Sequence, residues 1–540
     1  LRAEENVMGV TTDKIRVEDI SRTEGYGEQV INVQTFFDNV LPAYERGDGG
    51  DTLPADVPMA RSLVPAGTAA LRDFSHIGPE IPQFFNDNCV GCMTCVVECP
   101  DTAILAKVVE EPVLESALPG SNGGRDDLRA QFAHTRKFYD APAKKGAAPG
   151  QFGIFIDPSK CKGCRECVEV CHDLGYDALE MIAKQDDILP RYQQRLDFFR
   201  RLPETPERFV EGRVLADLML AERTLLYVGG AGSCAGCGEA TAIRMMLAAG
   251  GFQVGRENIG IVAATGCNTV YGATYPYNPY LVPWTNSLFE NAPADAMGVR
   301  MRWDQQGWQD KLLWVLGGDG AMLDIGFQSL SRLLASGLNV KVLVLDTQVY
   351  SNTGGQSSTA SFTGQVAKMA AYGAALQGKS ESRKELSRIA MMHPDTYVVQ
   401  TTPAHINHFY RAIMGANEYP GPAVVNVFTT CQPEHGVGDD QSAHRAKLAV
   451  DSRAFPLLTY DPRRGERIRD RLQLKGNPDM KADWHTRPDG ERIDFVYFAR
   501  GEGRFGKQFD ADGNPSAALQ IAQQDRLANW RTLQEMAGIL

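Results

Sequence analysis

Eight of the chain's 12 cysteines fall into two copies of one tight spacing. The first, CVGCMTCVVECP, carries Cys89, Cys92, Cys95 and Cys99 and ends at Pro100; the second, CKGCRECVEVCH, carries Cys161, Cys164, Cys167 and Cys171 and ends at His172. A thiolate at every third residue lets three sulfurs wrap one face of an iron–sulfur cube. Tetrahedral zinc is more often gripped by two separated pairs, and a disulfide framework needs no such repeat. The spacing therefore predicts two four-iron clusters.

The same run occurs in bacterial two-cluster ferredoxins, where the fourth cysteine of each run serves the other cube. On that pattern one cluster is held by Cys89, Cys92, Cys95 and Cys171, and the other by Cys161, Cys164, Cys167 and Cys99. Two features depart from the simple pattern. His172 stands where a second proline is expected, and is read as a neutral packing or hydrogen-bonding substitute. The interval from Cys99 to Cys161 is long, and LPGSNGG and APAKKGAAPGQ within it are turn chemistry on either side of a polar stretch around Asp126 to Lys137. A surface insertion over residues 105–150 or so is the expectation.

Four cysteines remain: Cys234 and Cys237 in GSCAGCGEA, Cys267 in AATGCNTVYG and Cys431 in FTTCQPEHG. Spacing alone leaves buried thiols, a zinc site and a third cluster open. The glycines around the first three favour close backbone approach to something bound.

A second chemistry lies in LLWVLGGDGAMLDIGFQSLSRLLASGLNVKVLVLDTQVYSNTGGQ, from Leu312 to Gln356. Leu312 to Leu316 and Leu338 to Leu345 are short apolar runs typical of buried parallel strands. Ile325, Leu330, Leu333 and Leu334 mark a crossover helix between them, ending at Gly337. In such a unit ligands bind beyond the carboxyl ends of the strands, where GGDG and DTQVYSNTGGQ both lie. The glycines admit a diphosphate to the backbone and the following helix offers it unpaired amides. Asp319 at the same edge demands a cation, and Mg2+ takes a few protein oxygens together with phosphate oxygens. Thr347, 28 positions on, and the carbonyl of Val349 would complete the set.

With the cysteines, this unit resembles the pyruvate:ferredoxin oxidoreductases and their wider 2-oxoacid relatives, specifically their ferredoxin-plus-thiamine-diphosphate (beta) part. The resemblance runs over residues 85–535 or so and rests on CAGCGE, ATGC, NSLFE, GGDGAMLDIG, DTQVYSNTGGQSS and FPLLTYDP. It implies an α/β fold: a thiamine-diphosphate-binding parallel-sheet domain preceded by a two-cluster ferredoxin-like α+β domain. It also implies that Cys234, Cys237, Cys267 and Cys431 hold a third [4Fe-4S] cluster, and that Asp319, Thr347 and Val349 hold Mg2+. Gly318, Asp319, Gly320, Ala321, Thr347, Gln348, Val349, Tyr350, Ser351 and Asn352 would cradle the diphosphate. Glu239 and Cys267 would touch thiamine, and the Asn352 amide would face the substrate as the catalytic residue.

The activity so implied is coenzyme A-dependent oxidative decarboxylation of a 2-oxoacid to acyl-CoA and CO2. It would pass through a thiamine-bound radical whose electrons leave singly through three clusters, reversibly given a strong donor. Pyruvate is the first expectation and 2-oxoglutarate its competitor. An electron-transfer subunit without catalysis of its own and a carboligase with structural clusters are the rival classes. An alpha-type subunit is expected to bring the pyrimidine-binding domain with its activating glutamate, in a heterodimer that pairs again. Ferredoxin, flavodoxin or an NAD(P)H-oxidising subunit would accept the electrons.

A length of 540 residues with 43% hydrophobic content suffices for two or three packed domains. A net charge of -12 argues against nucleic acid or an anionic membrane as partner. No stretch approaches the roughly 20 apolar residues that cross a bilayer, and the N-terminal sequence lacks a secretory signal's apolar centre, so a cytoplasmic protein is expected. The expected division is an arm or linker over residues 1–80, lying on the partner, with a short helix around Gln29 to Ala43 and a linker at RGDGGDTLPADVP. A ferredoxin-like domain over 81–186 and a thiamine-diphosphate domain over 187–460 follow. Residues 461–540 are read as a solvated covering arm ending in a helix from Ala517 to Met536.

Overall fold

The computed structural model describes residues 36–53, 64–120, 124–185, 187–272, 274–371 and 377–540. Its centre is an eight-stranded sheet. In spatial order the strands are Leu472–Gln473, Leu458–Tyr460, Tyr397–Thr401, Ala423–Phe428, Lys341–Asp346, Leu312–Gly318, Ile259–Ala264 and Trp284–Ser287. The six from Tyr397–Thr401 to Trp284–Ser287 run parallel; the first two are antiparallel additions at one edge. Parallel strands covered on both faces must be apolar throughout. Leu312, Trp314 and Leu316 accordingly pack to one face against the Gly238–Val254 and Ile406–Glu418 helices. Leu313 and Val315 pack to the other, with Leu330, Leu333 and Leu334.

The expected strand–helix–strand unit is present, with one correction. The crossover opens as a π-type turn, Gly320–Ile325, and only then becomes the Phe327–Leu334 helix, with Gly337 left-handed beyond its end. Ile325, expected on the apolar stripe, is exposed. The wider π turn shifts the register and rotates it off the face that Leu330, Leu333 and Leu334 share.

Ahead of the sheet lies a smaller α+β unit. Glu80–Phe84 pairs antiparallel with Leu179–Ala183, and Ile104–Glu110 with Gly150–Ile156. The helix Thr94–Glu98 carries Cys95, with Cys99 just past its end, and Glu166–Asp173 carries Cys167 and Cys171. The interval between the runs is not the loose surface insertion that its turn residues suggested. Its two ends are the paired central strands, and between them Leu114, Leu118, Leu128 and Phe132 are buried against Leu196, Phe198 and Phe199 of the Ile188–Arg201 helix. That helix, placed by the sequence reading at the start of the thiamine-diphosphate domain, thus packs on the smaller unit.

The C-terminal segment also departs from its reading. The helix Ala517–Met536 forms as expected, capped by Ser516. Yet Phe495, Phe498, Phe505, Leu519 and Trp530 are buried, so residues 461–540 contribute core and do not lie as a solvated arm. At the other end, Phe36, Val40 and Leu41 pack with Tyr275 and Tyr277 of the same chain, and Leu41–Arg46 is helical. Residues 29–35 of the expected short helix, and 54–58 of the expected linker, lie outside the described residues. Among the described residues no helix is long and apolar enough to cross a membrane.

Candidate functional site

The strands Leu312–Gly318 and Lys341–Asp346 are neighbours, so the loops leaving their carboxyl ends meet. Asp319 is fully buried there. Its Oδ1 accepts from the Thr347 amide and the Thr347 hydroxyl, both at 3.1 Å. Thr347 Oγ1 is also 3.0 Å from the Val349 carbonyl, and Ser351 Oγ donates to it at 2.8 Å. One hydroxyl carries one proton and cannot serve both Asp319 and Val349. Asp319 and the Val349 carbonyl therefore compete for one proton at the place where the sequence expects a cation. The spacing of these oxygens suits one: an octahedron with bonds of about 2.1 Å has edges of about 3 Å. Burial, and then the neighbouring carboxylate of Asp346, push Asp319 up to about 7, a strain that a cation would relieve.

These groups line a cleft of about 330 Å³. Gly318, Gly320, Ala321, Tyr350, Ser351 and Asn352 line it too, with Glu239 and Cys267 on its other wall. A Cβ on Gly318 would meet only the Leu345 carbonyl, at 3.8 Å, so this glycine leaves open space beside the backbone. On Gly320 it would strike the Tyr350 ring at 2.3 Å, so this one is needed for packing. Glu239 sits in the first turn of the Gly238–Val254 helix, where its Oε2 accepts from Tyr271 Oη at 3.3 Å. Burial and the charge of Asp319 push its carboxyl up to about 8.

One expected cleft residue faces elsewhere. Gln348 is fully buried, with φ of 57°, and its amide reaches Asp346 and Arg504 instead of the cleft. A side chain between two cleft-lining neighbours is turned away by that left-handed backbone. Thr265, Gly266, Phe289 and Thr353 line the cleft without having been singled out from sequence. Ser358, whose hydroxyl donates to Asp319 Oδ2 at 2.6 Å, was also missed. Its place in GGQSS gave it no distinguishing signal.

The cysteines assemble as two crossed sets and one dispersed set. A cavity of about 370 Å³ is lined by Cys89, Cys92 and Cys95 together with Cys171 from the second run. Burial pushes the Cys89, Cys95 and Cys171 thiols up, and Cys89 and Cys95 are raised further by Cys92 and Cys171. Cys167, buried, and Cys164, half-buried, are likewise raised by desolvation and then by Cys161 and by Cys99 of the first run. The two crossing sulfurs each accept a backbone amide at 3.3 Å, Cys99 from Ala103 and Cys171 from Ala178. Cys267, far along the chain from the rest, is raised after burial by Glu239, Cys237, Cys431 and Cys234. Among the described residues no three acidic, histidine or cysteine side chains are gathered for a single metal ion. The sulfurs of a four-iron cube stand farther apart than ligands at about 2.3 Å from one ion. His172 is exposed and pairs with Asp177, 2.7 Å away, as a hydrogen-bonding substitute would.

The smaller unit is fastened to the sheet at the second cysteine run. Lys162 Nζ, buried, reaches Asp101 Oδ1 at 2.6 Å and the carbonyls of Ala231 and Ser233 at 3.0 and 2.7 Å. Glu166 accepts the Ser442 and Ala443 amides at 2.9 and 2.8 Å, capping the Ser442–Asp451 helix. Arg244 donates to the carbonyls of Cys99, at 3.0 Å, and Val96.

Residues 264–427 match the family model described as thiamine pyrophosphate enzyme, C-terminal TPP binding domain. The chain is 29% identical to a probable pyruvate-flavodoxin oxidoreductase of Escherichia coli (strain K12), over 81% of this chain and 40% of that protein. It is 27% identical to the pyruvate-flavodoxin oxidoreductase of Rhodospirillum rubrum, over 91% of this chain and 44% of that protein. Against the pyruvate:ferredoxin oxidoreductase of Moorella thermoacetica the figures are 30%, 76% and 39%. The chain thus spans less than half the length of these curated relatives.

Proposed function

We propose that this chain, which belongs to the family of the pyruvate:ferredoxin and pyruvate-flavodoxin oxidoreductases, is the thiamine-diphosphate and electron-transfer part of a coenzyme A-dependent 2-oxoacid oxidoreductase. The observation that carries the reading is the oxygen set of Asp319, Thr347 and Val349, 3.0–3.1 Å apart, at the edge of a cleft walled by Glu239 and Cys267. Mg2+ held by those three oxygens would present the diphosphate to the backbone at Gly318 to Ala321. Asn352, at the exposed part of the cleft, would orient the 2-oxoacid. Thiamine diphosphate supplies an electron sink for decarboxylation.

The crossed cysteine sets would hold two [4Fe-4S] clusters, and Cys234, Cys237, Cys267 and Cys431 a third beside the cleft, since Cys267 belongs to both. Electrons would leave singly by that route to a ferredoxin or flavodoxin. The activating glutamate and the coenzyme A site would come from an alpha-type partner. Pyruvate is the first-choice substrate, supported by the names of the relatives.

The test is anaerobic dye reduction by the protein with its co-purified partner, using pyruvate or 2-oxoglutarate with coenzyme A present or omitted. The expected result is reduction that requires pyruvate and coenzyme A, with about twelve irons per chain from three four-iron cubes. Zinc in place of iron, or turnover unchanged in Asp319→Ala, would overturn the reading.

A further inference from the structure

Resting on the Mg2+ reading of Asp319, Thr347 and Val349, we propose that Arg504 and His435 are positioning residues that clamp the Thr347–Gln348 peptide and so aim two oxygens at the metal. Gln348 is not glycine, yet its φ is 57°, in the left-handed region that L-residues enter only at a steric cost. That turn is what brings Thr347 Oγ1 and the Val349 carbonyl within 3.0 Å of each other. Such a conformation persists only where the surroundings hold it.

The surroundings do so from the side away from the cleft. His435 Nε2 is 2.8 Å from the Thr347 carbonyl, which can only accept, so that nitrogen carries the proton. Arg504 Nη1 donates to Gln348 Oε1 at 3.0 Å and lies 3.5 Å from the same carbonyl. The Gln348 carbonyl accepts from Ser361 Oγ at 2.6 Å and Gln365 Nε2 at 2.9 Å. Arg504 is itself fixed: its Nε donates to Glu502 Oε2 at 2.6 Å, with both side chains wholly buried. Its guanidinium lies over Phe362 and Phe505. The segment bearing it docks backbone to backbone, the Gly503 amide donating to the Gly436 carbonyl at 3.2 Å, just past His435. A Cβ on Gly436 would come within 2.8 Å of Gly503 Cα. Two distant stretches thus converge on one peptide that touches the metal set.

A buried ion pair serving stability alone would not change the metal's surroundings, and that difference is measurable. The protein with its co-purified partner is stripped by chelation, given thiamine diphosphate, and titrated with Mn2+ read by electron paramagnetic resonance. Arg504→Lys keeps a charge for Glu502 but loses the fork; Gln348→Met removes Arg504's acceptor and leaves the ion pair intact. The expected result for both is iron content as in wild type, Mn2+ binding about 10–100-fold weaker, and an altered Mn2+ signal. Should Arg504→Lys fail to fold, Gln348→Met alone carries the test. Wild-type Mn2+ affinity and signal in the folded variants would overturn the clamp. Absence of thiamine-dependent Mn2+ binding in the wild type would instead overturn the metal reading beneath it.

Discussion

Asp319 shows how little of a buried carboxylate's support is visible in a linear sequence. That the carboxylate, the Thr347 hydroxyl and the Val349 carbonyl meet at one strand edge was legible because one helix and one strand separate Asp319 from Thr347, a spacing that the unit fixes. What holds Asp319 from behind was not: Ser358 donates to Oδ2 from a loop 39 residues on, with nothing in its neighbours to mark it. On the proposed reading, removing that hydroxyl would free Oδ2 to rotate away from the metal. Ser358→Ala is expected to weaken Mg2+-dependent thiamine diphosphate binding by about 10–100-fold while leaving the iron content unchanged. Equilibrium binding at fixed thiamine diphosphate checks it, and wild-type affinity would show that the hydroxyl does not orient the ligand.

Whole elements were legible where a continuous apolar run marked them, as in Leu312–Gly318. They were missed where short helices bury one or two side chains each. Leu114, Leu128 and Phe132 each sit in a largely polar stretch, and it takes Phe155 of the paired strand and Leu196, Phe198 and Phe199 of a helix more than sixty residues later to make a core of them. The start of the Ile406–Glu418 helix carries a further consequence of burial. His408 Nδ1 lies 2.9 Å from Thr401 Oγ1, and His408 is held down to about 3 by burial, then by His405 and Arg411. Its folded pKa is below the unfolded value of about 6.5, so between those values the unfolded chain binds a proton that the folded chain refuses. Stability is full above pH 6.5 and falls as the pH drops toward 3, by up to about 1.4 kcal/mol per pH unit for this one group. His408→Gln is expected to flatten the pH dependence of unfolding between pH 6.5 and 4 by that slope, measured by denaturant titration. An unchanged slope would show that His408 takes its proton in the folded state.

For the molecule as a whole, the seam between the smaller unit and the sheet is made by charged groups withdrawn from water. Lys162 stands within the second cysteine run, and its ammonium ties Asp101 to the loop at Ala231 and Ser233. Removing one member of a buried pair typically costs about 3–5 kcal/mol, because the other is left unpaired, while removing both costs far less. Lys162→Met is therefore expected to lower unfolding free energy by that amount, and Asp101→Asn in the same chain to restore much of it. Additive losses in the double variant would show that the two side chains do not depend on each other.

Cys99, Cys161, Cys167 and Cys171 are buried in the same continuous apolar cluster that contains Trp314 and Leu343 of the central sheet. Sulfurs so placed are withdrawn from solvent, while Cys92 and Cys234 are exposed. On the proposed reading, the cube held by Cys99, Cys161, Cys164 and Cys167 is the most enclosed of the three, and a folded polypeptide that lost it would be the slowest to have it rebuilt.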